Sequence, residues 1–385
     1  MSKLDLIATA TFGLESIVAE EVKQLGYEDV RVQNGRVEFT GDELAICRSN
    51  LWLRVADRVR LKVGEFKATT FDELFEKTKA LPWADILPMN AEFPVEGKSI
   101  KSTLFSVSDC QAIVKKAVVE SMKKKYKLDW FPEDGPLFKI EVALLKDIAT
   151  LTIDTSGSGL HKRGYRTLIS EAPLKETLAA AMLMLAKWYP DVALIDPFCG
   201  SGTIPIEAAL MGRNIAPGIN RDFACSDWPW IPQHAWKKAR EEAKDSIKHE
   251  KPEYIMGTDI DERVLRVARR NAEQAGVSED IHFQCMPVTE ISSKKKYGKI
   301  VCNPPYGERL SERREVNELY KDMAKTFKKL DTWSYYILTS HRGFEKIFGR
   351  EASKRRKLYN GNLEVQYYQY YGPRPPRIRR DTEEE

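Results

Sequence analysis

The pattern of apolar and polar residues differs between the first and second parts of this chain of 385 residues. Up to about residue 160, short runs that alternate in polarity are mixed with isolated helical patterns. Apolar side chains recur every three or four positions over residues 14–25, and Gly26 ends that predicted helix. The pair Asn34-Gly35 joins two alternating runs and predicts a β-hairpin. This mixture is typical of an α+β fold.

From about residue 165 onward, apolar strands alternate with longer helices, which predicts a parallel, doubly wound sheet. A second Asn-Gly pair, at 360–361, predicts an antiparallel hairpin that closes this sheet, as in a mixed α/β domain. Residues 213–253, rich in tryptophan, proline and charge, interrupt the alternation as an insertion. The predicted strands before the hairpin are 192–196, 254–259, 281–285, 299–303 and 334–339.

The composition is that of an ordinary globular protein, with 42% hydrophobic and 31% charged residues and a net charge of +4. The longest apolar run covers residues 178–186, whereas about 18 residues are needed to cross a bilayer. No apolar signal core follows Met1, and the six cysteines include no Cys-x-x-Cys pair. We therefore expect a cytoplasmic protein with no membrane partner, no zinc site and no other metal.

Basic residues are concentrated in one predicted helix, over residues 109–125. Clustered lysines can neutralise phosphates and give a salt-dependent affinity for nucleic acid. A solvated helix face explains such a cluster equally well. The lysines that we select as candidate phosphate contacts are Lys115, Lys116, Lys123 and Lys124.

A glycine-containing turn follows the first strand of the α/β region, over residues 196–203 with the sequence Asp-Pro-Phe-Cys-Gly-Ser-Gly-Thr. Gly200 and Gly202 allow a tight turn and a close approach of a ligand to the backbone. The helix that starts next offers free N–H groups. The spacing differs from Gly-x-Gly-x-x-Gly and lacks the Gly-Lys-Ser/Thr of a phosphate-binding loop. Both nucleotide-phosphate interpretations are therefore weakened.

An acidic residue, Asp259, ends the next predicted parallel strand. A carboxylate in this place can accept hydrogen bonds from both hydroxyls of a ribose. It follows Asp196 by 63 residues rather than the usual gap of about 20, and the insertion accounts for most of the excess. The alternative is that Asp259 or Asp261 caps the following helix. We favour Asp259 on ribose and Asp261 as the cap.

The third segment is Asn303-Pro304-Pro305-Tyr306, which follows a predicted strand. Two prolines cannot continue a central strand, so the chain leaves the sheet at its carboxyl edge, where ligands bind. The Asn303 side-chain oxygen and the Pro304 carbonyl can both accept hydrogen bonds from one exocyclic base amine and direct its lone pair toward a methyl donor. The Tyr306 ring offers a surface on which a base can stack. Taken alone, the tetrapeptide would be a turn.

These three segments together resemble the donor loop, ribose acid and amino-methylation motif of class I S-adenosylmethionine-dependent methyltransferases. The strings at 161–166, 172–176 and 303–310 are similar to those of THUMP-domain RNA guanine-N2 methyltransferases, in the branch that acts on bacterial 23S rRNA. The resemblance implies a ferredoxin-like region over 1–55 and a THUMP RNA-binding domain over 56–160. It also implies a Rossmann-like methyltransferase domain with a mixed seven-stranded sheet over 161–385.

The resemblance further implies S-adenosylmethionine as cofactor, RNA (23S rRNA or a precursor large-subunit particle) as partner, and Pro173 and Lys175 near the methionine end of the donor. One departure is the absence of an acid after the third strand, at 284–288, where many class I members contact adenine. The implied catalytic residues are Asn303, Pro304 and Tyr306. The implied RNA contacts include Arg163 and Arg166 besides the four lysines. The implied donor contacts are Asp196, Pro197, Phe198, Gly200, Gly202, Thr203, Asp259, Ile260 and Asn303.

Three other functions are compatible with parts of this pattern. Adenine-N6 methylation uses the same pair of acceptors, because they suit any exocyclic amine. A non-catalytic RNA-binding or ribosome-assembly factor could keep the fold, although the intact motifs argue against it. Cytosine-C5 methylation needs a cysteine nucleophile, and Cys199 and Cys302 are expected to be packing residues instead.

Overall fold

The computed structural model of the chain describes residues 3–166, 174–307 and 312–376. The described residues form 14 strands and 11 α-helices. The strands are β1 (Leu4–Thr9), β2 (Arg31–Gln33), β3 (Arg36–Gly41), β4 (Arg58–Lys67), β5 (Val95–Ile100), β6 (Ile140–Leu145), β7 (Ile148–Asp154), β8 (Leu194–Asp196), β9 (Ile255–Asp259), β10 (His282–Cys285), β11 (Lys299–Cys302), β12 (Ser334–Thr339), β13 (Lys354–Asn360) and β14 (Leu363–Tyr370). The helices are α1 (Glu15–Gln24), α2 (Glu43–Trp52), α3 (Phe71–Lys79), α4 (Trp83–Ile86), α5 (Val107–Tyr126), α6 (Glu176–Leu185), α7 (Thr203–Gly212), α8 (Gln233–Asp245), α9 (Glu262–Gln274), α10 (Glu312–Lys328) and α11 (Phe344–Phe348).

The chain divides into two compact units, and each unit combines two separate stretches of the sequence. The first unit combines Met1–Arg163 with Ala216–Ser246. The second combines Gly164–Ile215 with Ile247–Glu385. The segment that interrupts the α/β pattern therefore packs with the amino-terminal residues.

The first unit contains a seven-stranded sheet in the order β2-β3-β1-β4-β7-β6-β5. The predicted hairpin is confirmed, since β2 and β3 pair antiparallel across a turn in which Gly35 has a positive φ of 74°. Strand β4 joins the two halves of the sheet: its residues 58–61 pair with β1 on one side and its residues 60–67 pair with β7 on the other, with a register shift between Lys62 and Gly64. The two halves thus share one continuous sheet.

The inserted segment contributes tryptophans to the core of the first unit. Trp228 is 1% exposed and stacks on Phe138, with ring centroids 4.4 Å apart. Helix α8 packs on α2, where the Arg48 guanidinium donates two hydrogen bonds, of 2.8 and 2.6 Å, to the Glu242 carboxylate. These contacts are internal to the unit and explain why residues 216–246 belong to it.

The second unit contains a mixed seven-stranded sheet in the order β10-β9-β8-β11-β12-β14-β13. Five strands, β10, β9, β8, β11 and β12, pair parallel to one another, and the predicted hairpin β13–β14 adds two strands at one edge, with β14 antiparallel to β12. Strand β8 lies between β9 and β11, and its Leu194 and Ile195 are fully buried. The carboxyl ends of these three neighbouring strands bring Asp196, Asp259 and Asn303 to one edge of the sheet.

The structure differs from the sequence-based elements in a few places. Strand β5 ends at Ile100, because Lys101 adopts a positive φ of 51° and turns the chain. Helices α2, α4, α8 and α11 have no predicted counterpart. Within the described ranges, no helix is both long and apolar enough to span a membrane.

Candidate active site

The turn after β8 is held against β9 by its own backbone. The Cys199 N–H donates to the Thr258 carbonyl at 2.9 Å, and the Gly202 N–H donates to the Cys199 carbonyl at 2.8 Å. Gly200 and Gly202 both have positive φ, of 52° and 84°, which explains glycine at both positions. Helix α7 then starts at Thr203, and its first N–H groups lie at the carboxyl edge of the sheet.

The two glycines have different surroundings. A Cβ on Gly202 would lie 3.1 Å from the Ala268 Cβ and 3.2 Å from Phe283 Cζ, so this position is packed against α9 and β10. A Cβ on Gly200 would have no protein atom within 4 Å. Gly200 therefore faces open space, which is the arrangement needed for a ligand to approach the backbone.

Asp196 is a buried acid at the centre of this edge, with 1% of its surface exposed. Its Oδ1 accepts a hydrogen bond of 3.1 Å from the Phe198 N–H. Burial raises the pKa of the Asp196 carboxyl well above its ordinary value, and the negative charge of Asp259 raises it further. The described part of the chain supplies no ion-pair partner to Asp196. A positively charged ligand would offset the cost of burying this carboxylate, so the site fits a sulfonium donor.

Asp259 is half-buried and is oriented by two backbone donors. Its Oδ2 accepts from the Gly200 N–H and its Oδ1 from the Asp261 N–H, both at 3.1 Å. Each carboxylate oxygen keeps a lone pair, so the pair of oxygens can still accept from two ribose hydroxyls. Asp261 caps α9 by accepting from the Arg263 N–H at 2.8 Å, as predicted. Ile260 between them is 76% exposed and offers an apolar surface to a flat ring.

The loop after β11 places the methylation motif next to this edge. Asn303 is half-buried, and its Oδ1 accepts a short hydrogen bond from the Tyr306 hydroxyl. The Pro304 carbonyl accepts no hydrogen bond from any described residue. The side-chain oxygen of Asn303, Oδ1, has a second lone pair. Pro304 is itself buried, and each of the two predicted acceptors keeps a lone pair that no described donor uses.

Two helix residues that the sequence analysis missed support these loops. The Asn271 side chain, on α9, donates to the Ser201 carbonyl at 3.0 Å. The Tyr320 hydroxyl, on α10, donates to the Pro305 carbonyl at 2.7 Å and lies 2.9 Å from Thr339 Oγ1. Each lies on the apolar face of its helix, so periodicity marks it as a core residue and gives no signal for its polar group.

Other predicted donor contacts lie along the same turn. Pro197 is buried, and Phe198 is half-buried against the core below the sheet. Thr203 is 5% exposed and accepts a hydrogen bond of 2.6 Å from Arg166. Lys175 immediately precedes α6. Pro173 lies outside the described residues, as do positions 308–310 of the quoted motif.

The two predicted RNA-binding arginines have internal roles instead. Arg163 is 4% exposed, and its guanidinium donates to the carbonyls of Leu160 and Arg54 at 2.6 and 2.5 Å. Arg166 donates to Thr203 Oγ1 and forms an ion pair of 3.3 Å with Glu176. A buried guanidinium bound to backbone carbonyls is shielded from a phosphate, so an RNA contact by Arg163 stays a prediction without support from these contacts. Arg166 supports the donor turn rather than an RNA surface.

The four predicted lysines on α5 divide into two kinds. Lys115 bonds both carboxylate oxygens of Glu133 at 2.7 Å, and Lys123 pairs with Glu120 at 3.3 Å. Lys116 and Lys124 are exposed, and neither forms an ion pair with a described residue. The exposed pair is therefore the part of the cluster that is open to a polyanion.

The two cysteines beside the motifs are poor nucleophiles. Cys199 is 6% exposed and Cys302 fully buried. Burial raises the pKa of both thiols well above the ordinary value, and the charge of Asp196 adds to the rise. Because the thiolate is the reactive form, neither Cys199 nor Cys302 is suited to cytosine-C5 chemistry.

Known families match three parts of the chain. Residues 163–369 match UPF0020, described as an RMKL-like methyltransferase domain. Residues 5–60 match the RlmL ferredoxin-like domain, and residues 68–154 match the THUMP domain. These matches confirm the expected fold of both parts of the chain.

Full-length relatives agree with these matches. The chain is 54% identical over 100% of both lengths to a Bacillus subtilis protein named "Putative RNA methyltransferase YpsC". A crystal structure from Listeria monocytogenes, of a "predicted N6-adenine-specific DNA methylase", is 55% identical, covers 97% of both chains and has a TM-score of 0.93. The crystal structure of SMU.472, "a putative methyltransferase complexed with SAH", is 46% identical, covers 98% of this chain and 100% of that one and has a TM-score of 0.92. The chain belongs to the RMKL-like methyltransferase family that carries a ferredoxin-like and a THUMP domain.

Proposed function

We propose that this S-adenosylmethionine-dependent methyltransferase modifies RNA, at the exocyclic N2 amine of a guanine in 23S rRNA. The observation that carries the proposal is the position of Asn303–Tyr306 at the end of β11, directly beside the donor turn at the end of β8. When bound, S-adenosylmethionine supplies an electrophilic methyl group on a sulfonium. The rest of the chemistry belongs to side chains and backbone groups of this chain.

The donor side of the site has a group for each part of that molecule. Asp259 has lone pairs for the ribose hydroxyls, and the exposed side chain of Ile260 covers one face of the adenine. Gly200 leaves the backbone open, and the buried carboxylate of Asp196 supplies negative charge near the cationic end. These residues bind and orient, and none needs to exchange a proton with the substrate.

The acceptor side orients an amine instead of deprotonating it before transfer. As the nitrogen–methyl bond forms, the sulfur–methyl bond of the donor breaks, and the methylated amine then loses its surplus proton to water. An aromatic amine is a weak nucleophile, because its lone pair is delocalised into the ring. Two hydrogen bonds, to Asn303 Oδ1 and the Pro304 carbonyl, favour a more tetrahedral nitrogen with its lone pair outside the ring plane. The Tyr306 hydroxyl already donates a hydrogen bond to Asn303 Oδ1 in this structure and so uses one of its lone pairs. An entering base therefore competes with that hydroxyl and can stack on the Tyr306 ring.

RNA is the favoured substrate because of the first unit. The THUMP match covers residues 68–154, and Lys116 and Lys124 are exposed on α5 within it. Lysines free of acidic partners can neutralise phosphates. The name of the Bacillus subtilis relative also supports RNA. Guanine and 23S rRNA rest on the motif resemblance at 161–166, 172–176 and 303–310.

A second candidate is methylation of adenine N6. The Listeria monocytogenes relative is named for that activity on DNA. The pair formed by Asn303 and Pro304 favours neither base, since both acceptors bind an NH2 group. The discriminating contacts must lie elsewhere in the pocket.

The test uses the full-length protein with tritiated S-adenosylmethionine and three acceptors: unmodified 23S rRNA transcript, unmodified 16S rRNA transcript and double-stranded DNA. Nucleosides from each product are separated by chromatography. We expect label in N2-methylguanosine from 23S rRNA, and at least a hundredfold lower kcat for Asn303→Ala with donor affinity within twofold of wild type.

Label in N6-methyladenosine would contradict the guanine assignment and support the second candidate. Transfer to DNA alone would contradict RNA. An absence of transfer with tight RNA binding would support an assembly factor. An unchanged kcat for Asn303→Ala would refute the role of that side chain.

A further inference from the structure

Tyr320 connects the core of the second unit to the methylation loop. It lies on α10, is fully buried and packs edge-on against Phe344, with ring centroids 4.9 Å apart. Its hydroxyl donates to the Pro305 carbonyl at 2.7 Å and lies 2.9 Å from Thr339 Oγ1 at the end of β12. Tyr320 is therefore a core side chain whose polar end forms a hydrogen bond with the loop that contains Asn303–Tyr306.

The direction of each hydrogen bond in this group is determined. The Pro305 carbonyl can only accept, so the Tyr320 proton points to it. The hydroxyl of Thr339 must then donate to the Tyr320 oxygen. The backbone N–H of His341 donates to Thr339 Oγ1 at 3.1 Å. The result is a chain of three hydrogen bonds from the end of β12 to the loop, and such chains polarise and strengthen one another.

This chain fixes the loop at one end, and the sheet fixes the other. Cys302 is paired with Ile337 in the parallel register of β11 and β12. The rings of Pro304 and Pro305 restrict both φ angles to about −65°. With the Pro305 carbonyl held by Tyr320, the free torsions between the two fixed points are the φ and ψ of Asn303 and the ψ angles of Pro304 and Pro305. The two proposed acceptors lie in this short span.

We propose that Tyr320 is a positioning residue that fixes the Asn303 and Pro304 acceptors for methyl transfer. The proposal rests on the proposed function, since it takes these two groups as the ones that bind the amine. A misplacement of about 1 Å at a reacting group can cost a hundredfold in rate. A hydroxyl that controls one carbonyl of the loop can therefore control kcat without touching the substrate.

The test compares Tyr320→Phe with Tyr335→Phe. Tyr335 is a matched control because it is a buried tyrosine of the same core cluster whose hydroxyl donates to the Phe327 and Leu330 carbonyls, away from the loop. For methyl transfer to 23S rRNA transcript, we expect Tyr320→Phe to lower kcat at least tenfold. The KM for RNA and the Kd for S-adenosylmethionine should stay within twofold of wild type. Tyr335→Phe should leave kcat within twofold.

A second readout is independent of activity. Hydrogen exchange at the amides of Tyr306 and Gly307 should be faster in Tyr320→Phe than in wild type and unchanged in Tyr335→Phe. Thr339→Val removes the middle donor of the chain of hydrogen bonds. Like Tyr320→Phe, it should lower kcat and make exchange at these amides faster, and it replaces Tyr320→Phe in the test if that variant does not fold.

Equal losses of kcat in the two tyrosine variants, or a wild-type kcat in Tyr320→Phe, would overturn the positioning role. If wild-type protein transfers methyl groups to none of the substrates, the proposed function fails. The exchange measurement then still decides the anchoring of the loop, and unchanged exchange in Tyr320→Phe and Thr339→Val would overturn it.

Discussion

Gly200→Ala separates the cost of backbone strain from the cost of blocking the donor. Gly200 has a φ of 52°, and the Cβ of an alanine would meet no protein atom within 4 Å. The variant therefore adds no steric conflict within the protein. It adds one methyl group to the open side of the turn, where we place the donor.

The two costs appear in different measurements, the first in thermal stability and the second in donor affinity. A left-handed backbone conformation costs a non-glycine residue about 1–2 kcal/mol of folding free energy, which lowers Tm by a few degrees for a unit of this size. A methyl group in the donor space should weaken binding at least tenfold, or by about 1.4 kcal/mol or more. The loss of affinity is thus additional to the loss of stability.

Gly276→Ala is the matched control. Gly276 has a φ of 73°, and its Cβ would also meet nothing within 4 Å. It follows the end of α9, whose length of 13 residues places it about 20 Å along the helix from Asp261. Both variants should lose similar Tm in a thermal melt, but calorimetry should show weakened S-adenosylmethionine binding only for Gly200→Ala. Equal donor affinity in both variants would refute the assignment of the open side of the turn to the donor.

Two further predictions concern the first unit. The double variant Lys116→Gln, Lys124→Gln should bind 23S rRNA transcript more weakly than wild type, with unchanged affinity for the donor. The slope of the logarithm of the RNA-binding constant against the logarithm of the salt concentration should fall by roughly one to two. An unchanged slope would exclude this face of α5 from the RNA contact. Trp228→Ala should lower the free energy of unfolding by about 3–5 kcal/mol in a denaturant titration, because the indole is fully buried and stacks on Phe138. A loss below about 1 kcal/mol would contradict the place of Trp228 in the core.

The positions of the three acidic and amide groups at the sheet edge were predictable from the sequence. Two strands end at Asp196 and Asp259, Asn303 directly follows the end of a third, and the alternation with helices indicates that these ends share one edge. The order of strands puts β8 between the other two and so confirms that they are neighbours. Local pattern and general topology were sufficient, since no long-range contact had to be known.

Tyr320, Asn271 and Arg163 could not be predicted in the same way. Periodicity identifies a position as buried but does not identify the partner of its polar group, which comes from a distant part of the chain. Tyr320 bonds Pro305, 15 residues away, and Arg163 bonds Arg54, 109 residues away. Basic character alone also cannot distinguish an arginine that binds phosphate from one that binds buried carbonyls.

The inserted segment shows why domain limits drawn along the sequence mislead here. Residues 216–246 follow α7 of the second unit, but their tryptophans and α8 pack with residues 1–163. Removal of residues 1–160 would therefore leave Trp228 and the apolar face of α8 without the surface that buries them. Loss of RNA selection after such a deletion would not distinguish a missing RNA contact from a disrupted core. Point substitutions on the exposed face of α5 leave that core intact, and so they test the RNA-binding role of the first unit more directly than truncation.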